Sequence, residues 1–399
     1  MEEKNPIRLQ SADVYRGFVM LLMMAEVLNF QKVSQAKPEN IFWQFLAFNQ
    51  DHVQWIGCSL HDLIQPSFSF LVGVVLPYSI YNRKAKGETF QELMKHTIWR
   101  SFLLIILGFF LRSQGEKMTY FTFEDTLTQI GLCYTFLVMI GLLSFRIQVS
   151  IFIFIVVVYW IAFAIYPLPS PDFNYENVGV AKDWGHLQKG FLAHWNKNSN
   201  LAWAFDTWFL NIFPRESPFF ANEGGYTTLS FIPTLGTMIL GLFAGNIFIK
   251  ESSYNQKIKT FVTYGIAGLV IGLALNYTGI CPIVKRIWTP AWLFFSGGCC
   301  FLLMSFFYYF IDIKRNQKFT HWLVIIGMNS IAAYFMAHTV NRFISTSLYT
   351  HLGENYDTIL GIPYRSASKS VGQMMFHFFN IRESGFKGLP QNYSFNLQT

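Results

Sequence analysis

Apolar residues along this 399-residue chain are gathered in long runs separated by short polar segments. A helix needs about 20 apolar residues to cross a bilayer. We place such runs near 14–31, 63–81, 98–113, 126–145, 149–167, 227–249, 260–278, 291–312 and 320–345, with a further one near 355–380 that Pro363 and Arg365 interrupt. The last run either spans the membrane or lies at its surface. The pattern predicts one all-α domain over residues 1–399, a polytopic transmembrane bundle of about ten spans.

Charged residues change this picture little, because they form only 13% of the chain against about 25% in an average soluble domain. The net charge of +7 lies in short clusters between apolar runs. No basic stripe suits nucleic acid, which we exclude as a partner. The richer clusters occupy alternate loops, which predicts a cytoplasmic N-terminus, extracytoplasmic loops 32–62 and 168–226, and the lipid bilayer as a partner. None of the five cysteines has the spacing of a zinc or redox pair, so we predict no metal site.

Polar chemistry is concentrated where the chain enters the second apolar run, at His52, His61 and Asp62. Histidine has the ordinary pKa best suited to proton transfer near neutrality, and a nearby carboxylate can hold its tautomer. Alternatively, His52 is a solvated loop residue and Asp62 is a helix N-cap. The sequence leaves both interpretations open, and we predict a catalytic role for all three residues.

Two other segments on the same predicted side carry polar groups. Glu26 and Asn29 lie late in the first apolar run, where a carboxylate is costly and by default indicates function, although Glu26 could instead reach water. Glu223 begins a glycine-containing turn before a later span. The start of that helix offers amide donors for an anion or a sugar hydroxyl, but a simple loop-to-helix turn explains the glycines equally well.

Cations and amides near later spans suggest contacts to a cofactor. Lys285 and Arg286 stand against the positive-inside trend, and a guanidinium suits phosphate. A structural pair with an acidic loop residue is the alternative. Asn329 and His338, in the ninth run, could line a polar cavity, although hydrogen bonding between helices is the usual role of such residues and the interpretation we favour.

Several segments match a known family in the expected order over most of the chain. They are 11–17, 52–57, 62–66 with Gly73, 129–134, 223–224 with 232–234 and Gly241, 285–290, and 327–330. Together they resemble the heparan-alpha-glucosaminide N-acetyltransferase family and its bacterial relatives. The resemblance implies transfer of acetyl from cytoplasmic acetyl-CoA to the amine of a terminal glucosamine, or a related amino sugar, on the extracytoplasmic side.

The family's key histidine has a His-x-x-Trp-x-Gly setting, which here is His52 with Trp55 and Gly57. The resemblance therefore implies that His52 is the base, or forms an acetyl-histidine intermediate, with Asp62 or His61 orienting it. Where the family has Trp-Asn-Gly, this chain has Trp55-Ile56-Gly57, and Val27 takes the place of an asparagine late in the first helix.

The remaining expected roles follow from position. We expect Glu26, Asn29, Trp55 and Glu223 to contact the acceptor, and the set Lys285, Arg286, Asn329 and His338 to bind acetyl-CoA. The bacterial relatives indicate the bacterial inner membrane, and the resemblance also implies a homodimer. A transporter of amino sugars or oligosaccharides is the competing class, but the hydropathy pattern lacks the inverted repeat common among transporters.

Overall fold

The computed structural model describes residues 9–250, 253–316 and 320–336, together with the isolated residues 339 and 350. Every regular element in this part of the chain is helical, which confirms the predicted all-α class. The α-helices are α1 (Gln10–Met24), α2 (Phe30–Ala36), α3 (Ile41–Gln50), α4 (Ile64–Ala85), α5 (Phe90–Arg112), α6 (Thr126–Gly141), α7 (Phe145–Ile165), α8 (Leu201–Phe209), α9 (Phe231–Lys250), α10 (Tyr254–Tyr277), α11 (Pro290–Phe307) and α12 (His321–Met328).

Six helical stretches in the described part of the chain are long and apolar enough to cross a membrane. They are His61–Ala85, Phe90–Arg112, Phe145–Ile165, Thr228–Lys250, Tyr254–Tyr277 and Pro290–Ile313. They support an integral membrane protein. The predicted count of about ten spans is not confirmed, and the run near 355–380 lies outside the described residues, as does the ninth run beyond residue 336.

The first predicted span, 14–31, is shorter in the structure. α1 ends at Met24, and a 3-10 turn, Ala25–Leu28, follows it. Asn29 then takes a left-handed conformation with φ 46°, which an α-helix cannot continue. The apolar run is therefore divided at this point into α1 and α2.

The segments predicted as loops, 32–62 and 168–226, contain helices. α3 has 10 residues and α8 has 9. A helix of that length extends only about 15 Å, half of a bilayer core of about 30 Å. These helices were missed because the hydropathy criterion selects only runs of membrane length.

Close helix contacts hold α4, the helix that begins at the polar segment, against α9. A Cβ atom added at Gly73 would lie 2.0 Å from the Met238 carbonyl oxygen, and one at Gly241 would lie 1.9 Å from that of Phe70. Glycine at both positions therefore lets the two backbones meet, as small residues commonly do between membrane helices. This contact fixes α4 against α9 near the middle of α4.

The chain divides into two compact units, of which the first comprises Met1–Met23 and Asp51–Phe335 and the second Met24–Gln50 and Met336–Thr399. In the described part of the second unit, α2 and α3 are joined through Gln50. Its Oε1 accepts the Phe30 amide at 2.7 Å, and its Nε2 donates to the Ala25 carbonyl. The rings of Phe30 and Trp43 pack 6.0 Å apart.

Candidate active site

Residues 59–62 form a capping motif that starts the 3-10 turn and then α4. The Ser59 amide donates to Oδ2 of Asp62 at 3.1 Å, and the Asp62 amide donates to the Ser59 hydroxyl at 3.3 Å. This is the reciprocal pattern of a capping box, with Asp in place of Glu. The Val53 amide adds a third contact, 3.2 Å from Oδ2. Asp62 therefore lies inside the 3-10 turn His61–Leu63, at the last position of this box, and not at the N-cap that one sequence interpretation gave it. Only one of its oxygens takes part in the box.

The other oxygen of Asp62, Oδ1, faces two nitrogen atoms. It lies 2.8 Å from Nδ1 of His52 and 3.2 Å from Nζ of Lys285, and Nζ lies 3.1 Å from Nδ1. The side chains of Asp62 and Lys285 are 1% and 5% exposed, whereas that of His52 is 35% exposed. We call these three residues the His–Asp–Lys cluster. It is a buried ion pair with a half-exposed imidazole beside it.

The hydrogen bonds of this cluster determine which nitrogen of His52 carries the proton. Nδ1 cannot donate to Asp62 and accept from Lys285 at once. Lys285 already donates to the carboxylate, and the carboxylate lies nearer to Nδ1. We therefore assign the proton to Nδ1, as when a carboxylate fixes the tautomer of a neighbouring imidazole. Nε2 then keeps its lone pair, which is the condition for a base.

Lys285 reaches this position through pairing between two distant segments. Ile56 and Val284 form an antiparallel β-bridge, and the Gly57 amide donates to the Ile283 carbonyl at 3.0 Å. Gly57 has a φ of 125°, a conformation that favours glycine. Lys285 directly follows Val284 of this bridge, and the pairing therefore brings its ammonium against the buried carboxylate of Asp62.

Arg286 joins three loops rather than pointing into open space. Nη1 donates to the Gly224 carbonyl, and Nη2 donates to the Val53 carbonyl at 3.1 Å. The guanidinium also lies 4.9 Å from the centre of the Tyr226 ring. The guanidinium, which the sequence analysis suggested for phosphate binding, thus donates its hydrogen bonds to backbone carbonyl oxygens in this structure.

Aromatic side chains surround His52. The ring of His61, which is buried, lies 4.6 Å from the His52 ring, and Tyr226 lies at 6.4 Å. Trp55 is fully buried, and its indole nitrogen donates to the Trp195 carbonyl at 3.1 Å. Trp55 thus anchors the segment that carries His52, while His61 and Tyr226 form the immediate surroundings of the imidazole.

Lys197 is a member of this region that the sequence analysis missed. Its ammonium lies 5.3 Å from the ring centre of Trp184. Burial lowers the pKa of Lys197, and the nearby Arg286 lowers it further, while Glu223 acts in the opposite direction. A lysine in an asparagine-rich loop gives no sequence signal, because its position depends on long-range packing. Glu223 itself is exposed.

The other predicted site residues lie elsewhere in the chain. In the second unit, Glu26 is exposed, and Asn29 caps α2 by accepting the Lys32 amide at 3.3 Å. In the first unit, Asn329 is exposed at the end of α12 and donates to the Ile325 carbonyl at 2.9 Å. His338 lies outside the described residues.

The fold and this site define a class: an apolar helical membrane protein with a buried Asp–Lys pair holding a half-exposed histidine at the start of a span. Two curated relatives agree with the resemblance found in the sequence. The heparan-alpha-glucosaminide N-acetyltransferase of Homo sapiens is 22% identical over 364 residues, covering 82% of this chain and 52% of the relative. That of Mus musculus is 21% identical over 368 residues, covering 82% and 53%.

The two matches support a distant relationship to these N-acetyltransferases. The chain spans about half the length of the curated relatives it matches. No family model matches it.

Proposed function

We propose that this protein is a transmembrane N-acetyltransferase that moves acetyl from acetyl-CoA to the amine of an amino sugar, with His52 as the base. The His–Asp–Lys cluster is the observation that carries the proposal. A half-exposed imidazole has its Nδ1 held by a buried carboxylate and its Nε2 available. The names of the two relatives support the same reaction class.

The reaction needs one proton acceptor and no change of redox state. Nε2 of His52 removes a proton from the sugar amine as its nitrogen attacks the thioester carbonyl. The new C–N bond forms, the C–S bond breaks, and the imidazolium returns its proton to the departing thiolate of CoA. Asp62 stabilises the imidazolium, and Lys285 keeps Asp62 ionised. A positioned base of this kind typically contributes about 10²–10⁴-fold.

A two-step route is the alternative that the same residues allow. Nε2 would attack the thioester first, and the sugar amine would then displace the acetyl group from His52. Direct transfer requires the amine and the thioester to be bound at the same time. In the two-step route CoA departs as thiolate before the amine reacts, so the two substrates need not be bound together. Rapid denaturation near neutral pH after brief exposure to labelled acetyl-CoA alone separates the routes, since only the second leaves label on His52. Acid is avoided because a protonated acetyl-imidazole hydrolyses quickly.

The sidedness in this proposal rests on charge. We propose that the N-terminus lies in the cytoplasm, as the basic clusters predict, and that the start of α4 lies on the extracytoplasmic side. The bacterial inner membrane follows only from the resemblance to bacterial relatives. Acetyl-CoA would enter from the cytoplasm, and the amino sugar would reach His52 from outside. Trp55 would position His52, and Glu223 with Lys197 would contact the acceptor.

The proposal also includes the predicted residues that lie elsewhere in the chain. Glu26 and Asn29 would bind the acceptor, and Asn329 and His338 the cofactor, in a homodimer. For Lys285 we propose a role different from phosphate binding, because its ammonium is occupied by Asp62. For Arg286 we likewise propose a structural role, because backbone carbonyls occupy its guanidinium.

The test is acetyl transfer from labelled acetyl-CoA to glucosamine by the detergent-solubilised protein. We expect His52→Ala to reduce transfer by at least about 100-fold, the lower range for loss of a general base. His321→Ala removes an exposed histidine at the start of α12 and should leave transfer unchanged. Undiminished transfer by His52→Ala would refute the assignment. A wild-type protein that binds no acetyl-CoA but carries labelled glucosamine into vesicles would be a transporter.

A further inference from the structure

A second polar site lies at the far end of α4. Arg83 is 21 positions beyond Asp62, which corresponds to about 30 Å along a helix. There, a narrow cleft of about 20 Å³ opens between α4, α5 and α6, with the polar lining Ser79, Arg83, His96, Thr97, Arg100 and Tyr134. We call it the Arg83–Arg100 cleft. The helix length separates it from the His–Asp–Lys cluster by about the thickness of a bilayer core.

The charges of the cleft are only partly neutralised. Arg83 pairs with Glu88 at 2.7 Å, and the Glu92 carboxylate is close enough to His96 for His96 to influence it. Arg100 has a different environment. Its Nη1 lies 3.5 Å from the Tyr134 hydroxyl, and its guanidinium lies 4.9 Å from the centre of the Tyr134 ring. No carboxylate pairs with Arg100 among the described residues.

Arg100 lies at the start of the apolar run 98–113, directly after the polar first turns of α5. It lies ten positions after the start of α5, about 15 Å along the helix, and it is exposed. Its exposed neighbours are Trp99, Phe102 and Leu103, at 58%, 50% and 47%. An arginine in such a helix is costly without a partner and by default marks a site. An anion that reaches this surface from the bilayer would supply such a partner.

We propose that the Arg83–Arg100 cleft binds the phosphate of an anionic phospholipid. The guanidinium of Arg100 donates two parallel hydrogen bonds to the phosphate oxygens, the geometry for which arginine is suited. His96 and the Ser79 hydroxyl complete the polar contacts. The acyl chains lie along Phe102 and Phe136, which are 50% and 49% exposed. Basic pockets between membrane helices are a known setting for lipid headgroups.

A lipid fits the surroundings better than a soluble phosphate ester. The cleft opens beside large apolar side chains on α5 and α6, which a lipid tail can cover and a nucleotide cannot. The proposal does not depend on acetyl transfer, since it concerns only the surface that faces the membrane. The phosphates of CoA are the other source of the same chemistry, and the experiment below separates the two.

The test compares lipid retention by the full-length protein in detergent with added phosphatidylglycerol or phosphatidylcholine, read by native mass spectrometry. We expect the wild type to retain phosphatidylglycerol preferentially. Arg100→Gln should weaken that binding by about fivefold, the effect of about one basic residue near an anionic surface. Arg100→Lys, which keeps the charge but not the fork, should show a smaller loss. Arg146→Gln removes an exposed arginine at the same end of the bundle and should have no effect.

Two outcomes would overturn the proposal. Equal retention of phosphatidylglycerol by wild type and Arg100→Gln would show that the cleft holds no lipid phosphate. Loss of CoA binding in Arg100→Gln with lipid retention intact would assign the cleft to a soluble phosphate ester instead. A size-exclusion profile matching the wild type shows that each variant is folded, and Arg100→Lys provides the comparison should Arg100→Gln fail to fold.

Discussion

Two buried aspartates near the candidate active site have opposite surroundings. Asp62 is 1% exposed and Asp206 is 2% exposed. Asp62 contacts the ammonium of Lys285, the imidazole of His52 and two backbone amides. Asp206, on α8, accepts the Thr228 amide at 2.9 Å through Oδ2, but its Oδ1 has no hydrogen-bond partner among the described residues.

The contrast follows from the cost of burying a charge. Burial raises the pKa of Asp206 to about 7, the Thr228 hydrogen bonds offset only part of the increase, and Glu124 adds to it. Burial also raises the pKa of Glu124. Among the described residues no cation forms an ion pair with either carboxyl. Arg215 acts on Asp206 and Arg112 on Glu124 only from a greater distance. Asp62 keeps its charge because a cation and several donors replace water. Only the ionised carboxylate of Asp62 can stabilise an imidazolium.

The largest expected effect comes from removing the cation that distinguishes the two regions. Lys285→Met leaves the carboxylate of Asp62 buried beside His52 alone. Breaking a buried ion pair by removing one partner typically lowers the free energy of unfolding by about 3–5 kcal/mol. We expect such a loss in chemical unfolding of the solubilised protein, together with loss of acetyl transfer.

An exposed ion pair provides the matched control. Lys117 and Glu216 lie 2.7 Å apart, but their side chains are 82% and 56% exposed. Lys117→Met should therefore leave the free energy of unfolding nearly unchanged, because water screens an exposed pair. If Lys285→Met were no more destabilising than Lys117→Met, the pairing with Asp62 would not stabilise the fold. The double variant Asp62→Asn, Lys285→Met should recover part of the loss.

The second effect concerns Asp206 and depends on pH. A carboxyl whose pKa is raised on folding binds its proton more tightly in the folded state. Its contribution to stability is therefore complete below pH 4 and is lost as the pH rises to about 7. Asp206→Asn keeps an acceptor for the Thr228 amide but cannot ionise. We expect it to be more stable than the wild type above pH 7, by up to about 4 kcal/mol, and similar near pH 4.

The measurement is the midpoint of thermal unfolding between pH 4 and pH 8. The difference between Asp206→Asn and wild type should widen with pH and level off above 7. Asp172→Asn is the control, since burial contributes little at that exposed loop residue and its hydrogen bonds lower its pKa. A difference that is constant with pH would show that Asp206 is ionised throughout.

The smallest effect tests the loop that connects the two regions. Residues 222–228 offer the Gly224 carbonyl to Arg286 and the Thr228 amide to Asp206. Gly225 lies between them with a φ of 76°, and an added Cβ would lie 2.7 Å from Cζ3 of Trp55. We expect Gly225→Ala to cost about 1–2 kcal/mol for the backbone and more for the clash, and to reduce acetyl transfer.

Gly179→Ala isolates the backbone part of that cost. Gly179 has a φ of 73° and nothing within 4 Å of the added Cβ, so only the left-handed conformation is penalised. Unfolding and transfer should therefore change less than in Gly225→Ala. Equal effects of the two substitutions would mean that the contact with Trp55 tolerates displacement and does not link the loop to the site.

Part of the site was predictable because its residues are close in the sequence. His52, His61 and Asp62 lie within eleven positions, and the structure brings them together. One oxygen of Asp62 accepts the Ser59 amide at the start of the turn, and the other contacts His52, whose catalytic role stays a prediction. The helical class was predictable as well, because runs of about 20 apolar residues can satisfy their backbone in a membrane only as helices.

Contacts between distant segments were not predictable. Lys285 lies 233 positions from His52, and nothing in its local sequence distinguishes an ammonium bound to a carboxylate from one that awaits a phosphate. The same holds for Lys197, whose position depends on the packing of Trp184. The sequence by itself determined the all-α class and the residues capable of proton transfer, because hydropathy and residue chemistry are local. Only the tertiary structure decided which cation neutralises Asp62, which carboxyl is left without one and which nitrogen of His52 is available, because burial and pairing depend on segments that meet only when the chain folds.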